Sequence, residues 1–227
     1  MSREAVLREL AAIISTSGTG RILLVAIDGV DTSGKTTLAD ELRDRIRSRP
    51  VVRLSIDGFH NPGTVRMRQG EFSPQGYFED SFNYPFLKEQ VLDRIRQGAD
   101  SVVAAIYDYR VEAAVRKPAL AVPSGAVVIM DGVFLLRREL AEYWDLSVFL
   151  EVSFATVLER ARRRDIGLFG EMALLEEKYR RRYIPGQELY FAREDPRSRA
   201  TIILDNNDPE NPLWVKKPVA YGGCDQA

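Results

Sequence analysis

A glycine-rich octapeptide near the N-terminus constrains the fold more than any other feature of this sequence. Residues 29–36 read GVDTSGKT and satisfy the pattern G-x-x-x-x-G-K-[ST]. They follow the aliphatic run 21–27 and precede Leu38, Leu42 and Ile46, which recur at four-residue spacing on one helical face. A strand, a glycine-rich loop and a helix in this order form the context in which such a loop binds phosphate.

The chemistry of this phosphate loop follows from its residue types. Glycines let successive backbone N–H groups point inward, and the following helix adds its positive end, so that the loop becomes a nest for phosphate oxygens. Lys35 can reach the β- and γ-phosphates, and the Thr36 hydroxyl can bind Mg²⁺. The alternative is an ordinary turn with a solvated Lys35, which the strand and helix context disfavours. The predicted nucleotide-binding residues here are Gly29, Asp31, Thr32, Ser33, Gly34, Lys35, Thr36 and Thr37.

Composition excludes several classes of protein. The 227 residues include 32 basic and 33 acidic side chains, so a net charge of −1 gives no global attraction to nucleic acid or to an anionic membrane. Cys224 and His60 are single examples of their types, which excludes an intrachain disulfide and zinc sites rich in cysteine or histidine. No apolar run approaches the roughly 20 residues that span a bilayer, and residues 1–16 lack a secretory signal pattern. We expect a cytoplasmic protein that binds neither nucleic acid nor membrane.

Strand-like and helix-like segments alternate along the chain, which predicts one α/β domain with a doubly wound, mainly parallel sheet and helices on both faces. The predicted strands are 21–27, 51–56, 102–106, 126–130, 146–152 and 201–204. Apolar residues spaced by three and four predict an N-terminal helix over 3–16, before a core over 21–205. Residues 61–83 are long for a plain connection, which is typical of functional or disordered loops. We interpret 206–227 as an irregular tail.

Two aspartates follow predicted strands. Asp131 comes directly after the buried run 126–130, where an acidic side chain can bind Mg²⁺ directly or through water, or can simply stabilise the turn at Gly132. Asp57 follows 51–56 and lies beside the phosphate loop if that strand neighbours the first one. The alternative for Asp57 is a turn at the Asp-Gly pair. Both aspartates are therefore candidate residues of a site around the phosphate loop.

Further motifs follow in a definite order: DGFH at 57–60, YDYR at 107–110, DG at 131–132 and RDI at 164–166. Together with the phosphate loop they resemble the uridine kinase family and its relatives, including phosphoribulokinase and pantothenate kinase, over residues 22–205. The resemblance implies a three-layer P-loop NTPase fold with an arginine-rich lid at about 160–183. It also implies an ATP-dependent kinase that uses Mg²⁺ and phosphorylates the hydroxyl of a small molecule.

The resemblance also implies roles for individual residues. Asp57 matches the aspartate that takes the proton of the acceptor hydroxyl, and Lys35 and Arg164 would act with it on the transferred phosphate. Arg160 and Arg164 match lid arginines, whereas the other arginines of this region are interpreted as a solvated basic face. His60 either contacts the substrate or is a structural histidine that lies under the loop. The residues expected to bind the acceptor are Asp57, His60, Asp80, Tyr107, Asp108 and Arg110.

The acceptor motifs depart from the uridine kinase pattern. Residues 111–115 lack the histidine that reads the pyrimidine, and of the ribose-binding segment only Asp80 is retained. The first hypothesis is a kinase of a nucleoside or other riboside. The alternative is a kinase of a pantothenate-like, sugar or natural-product alcohol. A nucleoside monophosphate kinase and a nucleotide-binding switch protein agree less well with the motifs. The resemblance suggests homo-oligomers, although no helix here specifies a contact.

Overall fold

A central sheet organises the computed structural model, which describes residues 1–218. Six strands hydrogen-bond in the spatial order β10-β9-β8-β1-β7-β2, and two pairs of short strands lie outside this sheet. The strands are β1 (Leu23–Gly29), β2 (Val51–Ser55), β3 (Ser101–Val102), β4 (Tyr107–Asp108), β5 (Ala113–Ala114), β6 (Leu120–Ala121), β7 (Val127–Gly132), β8 (Leu146–Glu151), β9 (Ile202–Asp205) and β10 (Leu213–Lys216). In the main sheet all neighbours are parallel except β9 and β10. The predicted α/β class is confirmed.

Helices cover both faces of this sheet. They are α1 (Arg3–Thr16), α2 (Lys35–Arg45), α3 (Gly63–Arg66), α4 (Pro74–Asp80), α5 (Tyr84–Leu87), α6 (Asp93–Arg96), α7 (Arg138–Ala141), α8 (Phe154–Arg164), α9 (Ile166–Phe169), α10 (Met172–Lys178), α11 (Ile184–Glu194) and α12 (Pro196–Arg199). Single π-helical turns join α5 to α6 and α10 to α11, and a 3₁₀ turn, Ile56–Phe59, follows β2. None of the helices in residues 1–218 is long and apolar enough to cross a bilayer.

The strands bury both faces, which explains their nearly continuous aliphatic sequences. Helices α1 and α2 pack on one face against Val25, Ile27 and their neighbours, and α1 spans the predicted range 3–16. The opposite face, with Ala26 and Met130, packs against α4, the α5–α6 region and α11. A third, smaller cluster joins Val30 of the phosphate loop to α8 and α10, the helices of the predicted lid. The phosphate loop is therefore packed between the sheet and the lid.

Two strand predictions need correction. The segment predicted as a strand at 102–106 contributes only Val102 to a strand, β3, which pairs with β6 outside the main sheet. The chain leaves that pairing because the Ile106 N–H donates to the Gly58 carbonyl over 2.7 Å, which draws the segment toward the 3₁₀ turn. The sheet order also places β7 between β2 and β1, so that the strand before Asp57 does not neighbour the first strand.

The segments predicted as irregular contain regular elements. Residues 61–83 hold α3 and α4, with Ser73 capping α4 through the Gly76 N–H. In the tail predicted as irregular over 206–227, residues Leu213–Lys216 form β10, which pairs antiparallel with β9. This correction has a tertiary cause, because β9 would otherwise leave an unpaired edge. Residues 219–227 of the tail, including Cys224, lie outside the described residues.

Gly132 permits a close contact that supports the turn carrying Asp57. A Cβ added at Gly132 would lie 2.1 Å from Ile56 Cγ2, and Ile56 is fully buried. We expect Gly132→Ala to lower the free energy of unfolding by about 1–3 kcal/mol, because overpacking forces neighbours to shift. Urea denaturation measures this change. The matched control is Gly167→Ala, where no atom lies within 4 Å of the added Cβ. Equal stabilities of the two variants would contradict this explanation.

Candidate active site

The phosphate loop runs from the end of β1 to the start of α2. Gly34 precedes α2 with φ +95°, a conformation that favours glycine, and a Cβ there would lie 3.0 Å from Asn206 Nδ2. Asn206, which follows β9, donates from Nδ2 to the Ser33 carbonyl over 2.7 Å. The loop is thus fixed by the Asn206 side chain as well as by its own turn.

Thr32 is the strained residue of this loop. Its φ of +56° is unusual for a β-branched residue, so surrounding contacts must hold it. The Thr32 hydroxyl donates to the Val157 carbonyl of α8 over 3.1 Å, and Arg160 of the same helix donates to the Thr32 carbonyl over 3.3 Å. The first lid helix therefore contacts the phosphate loop directly.

Lys35 lies at the start of α2 with its amine turned into the loop. Its Nζ donates to the Val30 carbonyl over 2.7 Å. Burial lowers the pKa of Lys35, and the negative charge of Asp31 is the largest opposing effect, followed by those of Asp28, Asp131 and Asp57. Four carboxylates thus converge on the one amine that would face transferred phosphate.

Two of these carboxylates flank Gly29. Asp28 is fully buried and accepts hydrogen bonds from the Gly29 N–H (2.6 Å), the Leu136 N–H (2.9 Å) and the Tyr190 hydroxyl (2.5 Å). Burial raises the pKa of Asp28 to about 6, with the Tyr190 hydrogen bond as the largest opposing effect.

Asp31 is held by side chains of two helices. Its Oδ2 accepts from the Tyr77 hydroxyl of α4 over 2.9 Å and from Gln187 Nε2 of α11 over 2.6 Å. Burial raises the pKa of Asp31, and the charge of Lys35 is the largest opposing effect. Although the sequence assigns Asp31 to the nucleotide, its carboxylate is bonded to helices on the acceptor side of the loop.

Thr36 and Asp131 supply the oxygens that Mg²⁺ prefers. The Thr36 hydroxyl donates to Asp131 Oδ2 over 2.5 Å, so the two predicted metal residues are in direct contact. Arg53 of β2 holds the other oxygen, with Nη2 2.9 Å from Asp131 Oδ1. Within residues 1–218 no three His, Cys, Asp or Glu side chains gather into a metal site. This donor set fits Mg²⁺, which usually takes one or two protein ligands together with phosphates and water.

Asp57 lies exposed on the 3₁₀ turn after β2. Its backbone carbonyl lies 2.9 Å from His60 Nδ1, and the His60 ring lies between Phe82 and Tyr109, with centroid distances of 4.4 Å to each. Burial lowers the pKa of His60, and the charge of Asp57 is the largest opposing effect. A neutral His60 therefore supports the turn that presents Asp57.

The β4–β5 hairpin contributes the remaining polar groups of the acceptor side. The Tyr107 hydroxyl donates to Glu112 Oε2 over 3.0 Å, and Asp108 Oδ1 accepts from the Arg110 N–H over 2.9 Å. The exposed Arg110 guanidinium lies over the Tyr109 ring at 5.2 Å. Because Tyr109 of this hairpin packs on His60, the structure brings Tyr107 and Arg110 close to the turn that carries His60.

Asp80 lies below this surface. Only 3% of its side chain is exposed, and its oxygens accept from Gln69 Nε2 (2.7 Å) and from Arg68 Nε (3.0 Å), with a second bond to Arg68. The Arg68 side chain is 62% exposed. Asp80 could therefore act on an acceptor most directly by orienting Arg68.

The predicted lid arginines differ in their contacts. Besides Thr32, Arg160 donates to the carbonyls of Asn206 (2.8 Å) and Asn207 (3.0 Å). Arg164 is largely exposed and pairs with the buried Asp165, which also accepts from the Tyr179 hydroxyl over 2.5 Å. The remaining arginines form surface pairs with glutamates, as expected for a solvated face, except Arg182, which is 2% exposed.

Several side chains that hold this site were not singled out by sequence reasoning. Asp28 carried a local signal, since a charged residue rarely ends a buried aliphatic strand. The others lie far along the chain from the residues that they contact and carried no local signal. They are Arg53, Tyr77, Gln187, Tyr190 and Asn206.

Comparison with known proteins identifies similar sequences and folds. Residues 24–172 match the family model described as the phosphoribulokinase / uridine kinase family. The chain is 26% identical over 184 residues to a uridine kinase of Mycoplasma pneumoniae, covering 80% of this chain and 84% of that protein. It is 24% identical over 153 residues to uridine-cytidine kinase B of Dictyostelium discoideum, covering 67% of this chain but only 62% of that longer protein.

A solved structure shares the fold. A possible uridine kinase from Bacillus stearothermophilus superposes with a TM-score of 0.72 at 21% identity, covering 88% of this chain and 97% of that one. This similarity shows that the present chain shares the fold of that structure, with helices on both faces of a mainly parallel sheet.

The environment of Asp28 predicts a pH-dependent stability. The folded pKa of about 6 lies above the ordinary 3.8, so the protonated carboxyl is favoured by the fold, and this contribution is lost as the pH rises from about 4 through 6. We expect the free energy of unfolding of Asp28→Asn, relative to the natural protein, to rise by about 2–3 kcal/mol between pH 4 and pH 7. Urea denaturation across that range measures it.

The matched control is Asp44→Asn, because Asp44 is an exposed carboxylate whose pKa is lowered by Arg43. This variant should show no such rise. A constant difference between Asp28→Asn and the natural protein over pH 4 to 7 would contradict the predicted burial effect.

Proposed function

The chain belongs to the phosphoribulokinase / uridine kinase family, and we propose that it transfers the γ-phosphate of ATP to a hydroxyl group of a small molecule, first of all a nucleoside or another riboside. The observation that carries this proposal is the grouping of Lys35, Thr36 and Asp131 at the phosphate loop, where Lys35 Nζ donates to the Val30 carbonyl (2.7 Å) and the Thr36 hydroxyl donates to Asp131 (2.5 Å). Asp57 is exposed on the 3₁₀ turn after β2, and its charge is among those that oppose the effect of burial on the pKa of Lys35. An amine for the phosphate and a carboxylate for the hydroxyl are the two charges that this reaction uses.

In the proposed reaction, the acceptor oxygen attacks the γ-phosphorus while the bond between that phosphorus and the β,γ-bridging oxygen breaks. The hydroxyl proton passes to the Asp57 carboxylate, and ADP leaves with the electrons of the broken bond. Lys35 and the backbone N–H groups of the phosphate loop stabilise the charge on the phosphate oxygens. Arg164, whose exposed guanidinium pairs with Asp165, would reach the same oxygens if its helix moved toward them.

Thr36 and Asp131 would hold Mg²⁺, which would supply positive charge to offset the charge of the phosphate oxygens. Arg53 contributes by fixing Asp131 Oδ1, so that Oδ2 stays directed toward Thr36. This carboxylate belongs to β7, a strand whose residues are all buried in the central sheet.

The riboside assignment rests on the polar groups near Asp57. Tyr107, Asp108 and Arg110 present a hydroxyl, a carboxylate and a guanidinium at the same edge, and Asp80 orients Arg68 behind them. Vicinal hydroxyls need donors and acceptors fixed at short range, and a site built for a hydroxyl rejects analogues that lack it. These groups suit a polyol.

A second candidate is a kinase of a non-nucleoside alcohol. The observation that favours it is the tip of the β4–β5 hairpin, where Val111 is 70% exposed and no side chain suited to reading a base follows. No side chain at this position is then suited to recognise a particular base, and a pantothenate-like compound or a sugar could occupy the same edge.

A panel of acceptors tests the function. Uridine, cytidine and adenosine, their 2′-deoxy forms, pantothenate and sugars are each incubated with ATP and Mg²⁺, and ADP release is measured. We expect each riboside to exceed its deoxy form by a larger factor than any base exceeds another. The matched control is Lys35→Ala, which should lose at least 100-fold in rate because a preorganised charge at the phosphate is removed.

The panel separates the candidates. Phosphorylation of pantothenate or a sugar, with none of the six nucleosides active, would reject the riboside proposal and retain the kinase. If no alcohol raised ADP release above the rate with ATP alone, the kinase proposal would fail.

The proposed role of Asp57 predicts a separation of turnover from nucleotide binding. We expect Asp57→Asn to lower kcat by about 10²–10⁴-fold, because general-base catalysis contributes that much, while the Kd for ATP changes little. Steady-state kinetics with the best acceptor of the panel and calorimetric titration with ATP measure the two quantities. Asp44→Asn on the exposed face of α2 serves as the control. An unchanged kcat with a raised Kd would instead make Asp57 a nucleotide-binding residue.

A further inference from the structure

Arg182 is the one lid arginine that is fully buried in the described chain. It lies in the π-helical turn Tyr179–Tyr183, between α10 and α11, with 2% of its surface exposed. Its guanidinium donates to four backbone carbonyls of residues 66–73, the segment that joins α3 to α4. The acceptors are Arg66 (3.0 Å), Gly70 (3.2 Å), Glu71 (3.2 Å) and Ser73 (3.3 Å).

These bonds use the particular shape of the guanidinium. Arginine presents five N–H groups in a planar fork, which can reach several carbonyls at once, whereas a lysine amine offers three donors from one point. Burial lowers the pKa of Arg182, yet an arginine stays protonated in proteins, so the carbonyl dipoles must stabilise its charge. The four hydrogen bonds therefore tie the position of segment 66–73 to the Arg182 side chain.

Two neighbouring residues hold the outside of the same segment. Lys178 pairs with Glu71 at 2.6 Å, and Arg181 lies over the Phe72 ring at 4.4 Å. Together with Arg182, these residues at the end of α10 and in the following π-helical turn contact both sides of segment 66–73. We call this group of contacts the lid clasp.

The lid clasp lies between the two halves of the site. On the nucleotide side, α8 contacts the phosphate loop at Thr32, and the Tyr179 hydroxyl joins Asp165 at the end of α8 to the turn that carries Arg182. On the acceptor side, Arg68 and Gln69 of the segment bind Asp80. A contiguous chain of contacts thus runs from the phosphate loop to the acceptor groups.

We propose that Arg182 is a positioning residue that transmits nucleotide binding at the phosphate loop to residues 66–73, and so sets the geometry of the acceptor side. The proposal rests on the proposed function only in that a nucleotide binds at residues 29–36. A nucleotide that orders α8 also orders the turn that carries Arg182. Residues 66–73 become ordered in turn, because four of their carbonyls are hydrogen-bonded to that one side chain.

Hydrogen exchange of the full chain with and without the non-hydrolysable analogue AMP-PNP and Mg²⁺ tests this role. In the natural protein, we expect AMP-PNP to slow amide exchange in residues 66–73 at least fivefold. Arg182→Lys keeps the positive charge but loses the fork, so this protection should disappear, while calorimetry gives a Kd for AMP-PNP within threefold of the natural value. The matched control is Arg180→Lys, an exposed neighbour that pairs with Glu176 and should retain the protection.

The outcomes distinguish this proposal from the proposed function. Failure of AMP-PNP to bind the natural protein overturns both. Binding without protection of residues 66–73, or equal protection in Arg182→Lys, overturns the role of Arg182 alone. If Arg182→Lys does not fold, Tyr179→Phe replaces it, because it removes the hydroxyl bond to Asp165 that joins α8 to the turn carrying Arg182, without a change of buried charge. Protection at the natural level in Tyr179→Phe would then reject the proposal.

Discussion

The phosphate loop carries carboxylates on both sides of its first glycine, Gly29. Hydrogen-bond donors must stabilise these carboxylates, and the rest of the site depends on which residues supply the donors. Asp28 is bonded by Tyr190, and Asp31 is bonded by Gln187 and Tyr77. Without these donors, buried carboxylates beside phosphate would carry a large desolvation cost and would repel the ligand. The donors come from α4 and from α11, which follows the predicted lid, so these two helices fix the position of the loop.

This arrangement links regions that are separate in the sequence. Helix α11 continues from α10 through one π-helical turn, and π-helical turns often occur at functional sites. Gln187 and Tyr190 are three residues apart, hence on one face of α11, where they bind the two carboxylates. Changes at the loop are therefore expected to reach the lid through side-chain hydrogen bonds as well as through apolar packing.

The acceptor side is built differently. His60 is held between two aromatic rings, which supports the turn of Asp57 without adding a charge. The charged groups lie around this turn in pairs, such as Arg66 with Glu112 and Arg68 with Asp80. Paired charges can be reoriented by an acceptor at small cost when one partner is exposed, because solvent screens the exposed group. The surface therefore offers polar contacts on a rigid aromatic base.

Some features were determined by the sequence itself. The phosphate loop requires contiguous glycines and a lysine between a buried strand and a helix, and all of these are local, so the loop and the α/β class could be predicted. The predicted strand at 102–106 and the irregular tail were wrong because the Ile106 bond to Gly58 and the pairing of β10 with β9 are made with distant segments. Local periodicity carries no information on such partners.

The same distinction between local signals and contacts with distant segments applies to the candidate site. Lys35, Thr36, Asp57 and Asp131 each ended a strand or began a helix, where the sequence indicates a candidate residue, and their proposed roles stay predictions. The partners that hold them were decided only by the tertiary structure, because Tyr190 lies 162 residues from Asp28 and Arg53 lies 78 residues from Asp131. A hydrogen bond or ion pair needs its two groups within about 3 Å, and the folding of the sheet and lid alone brings them to that distance.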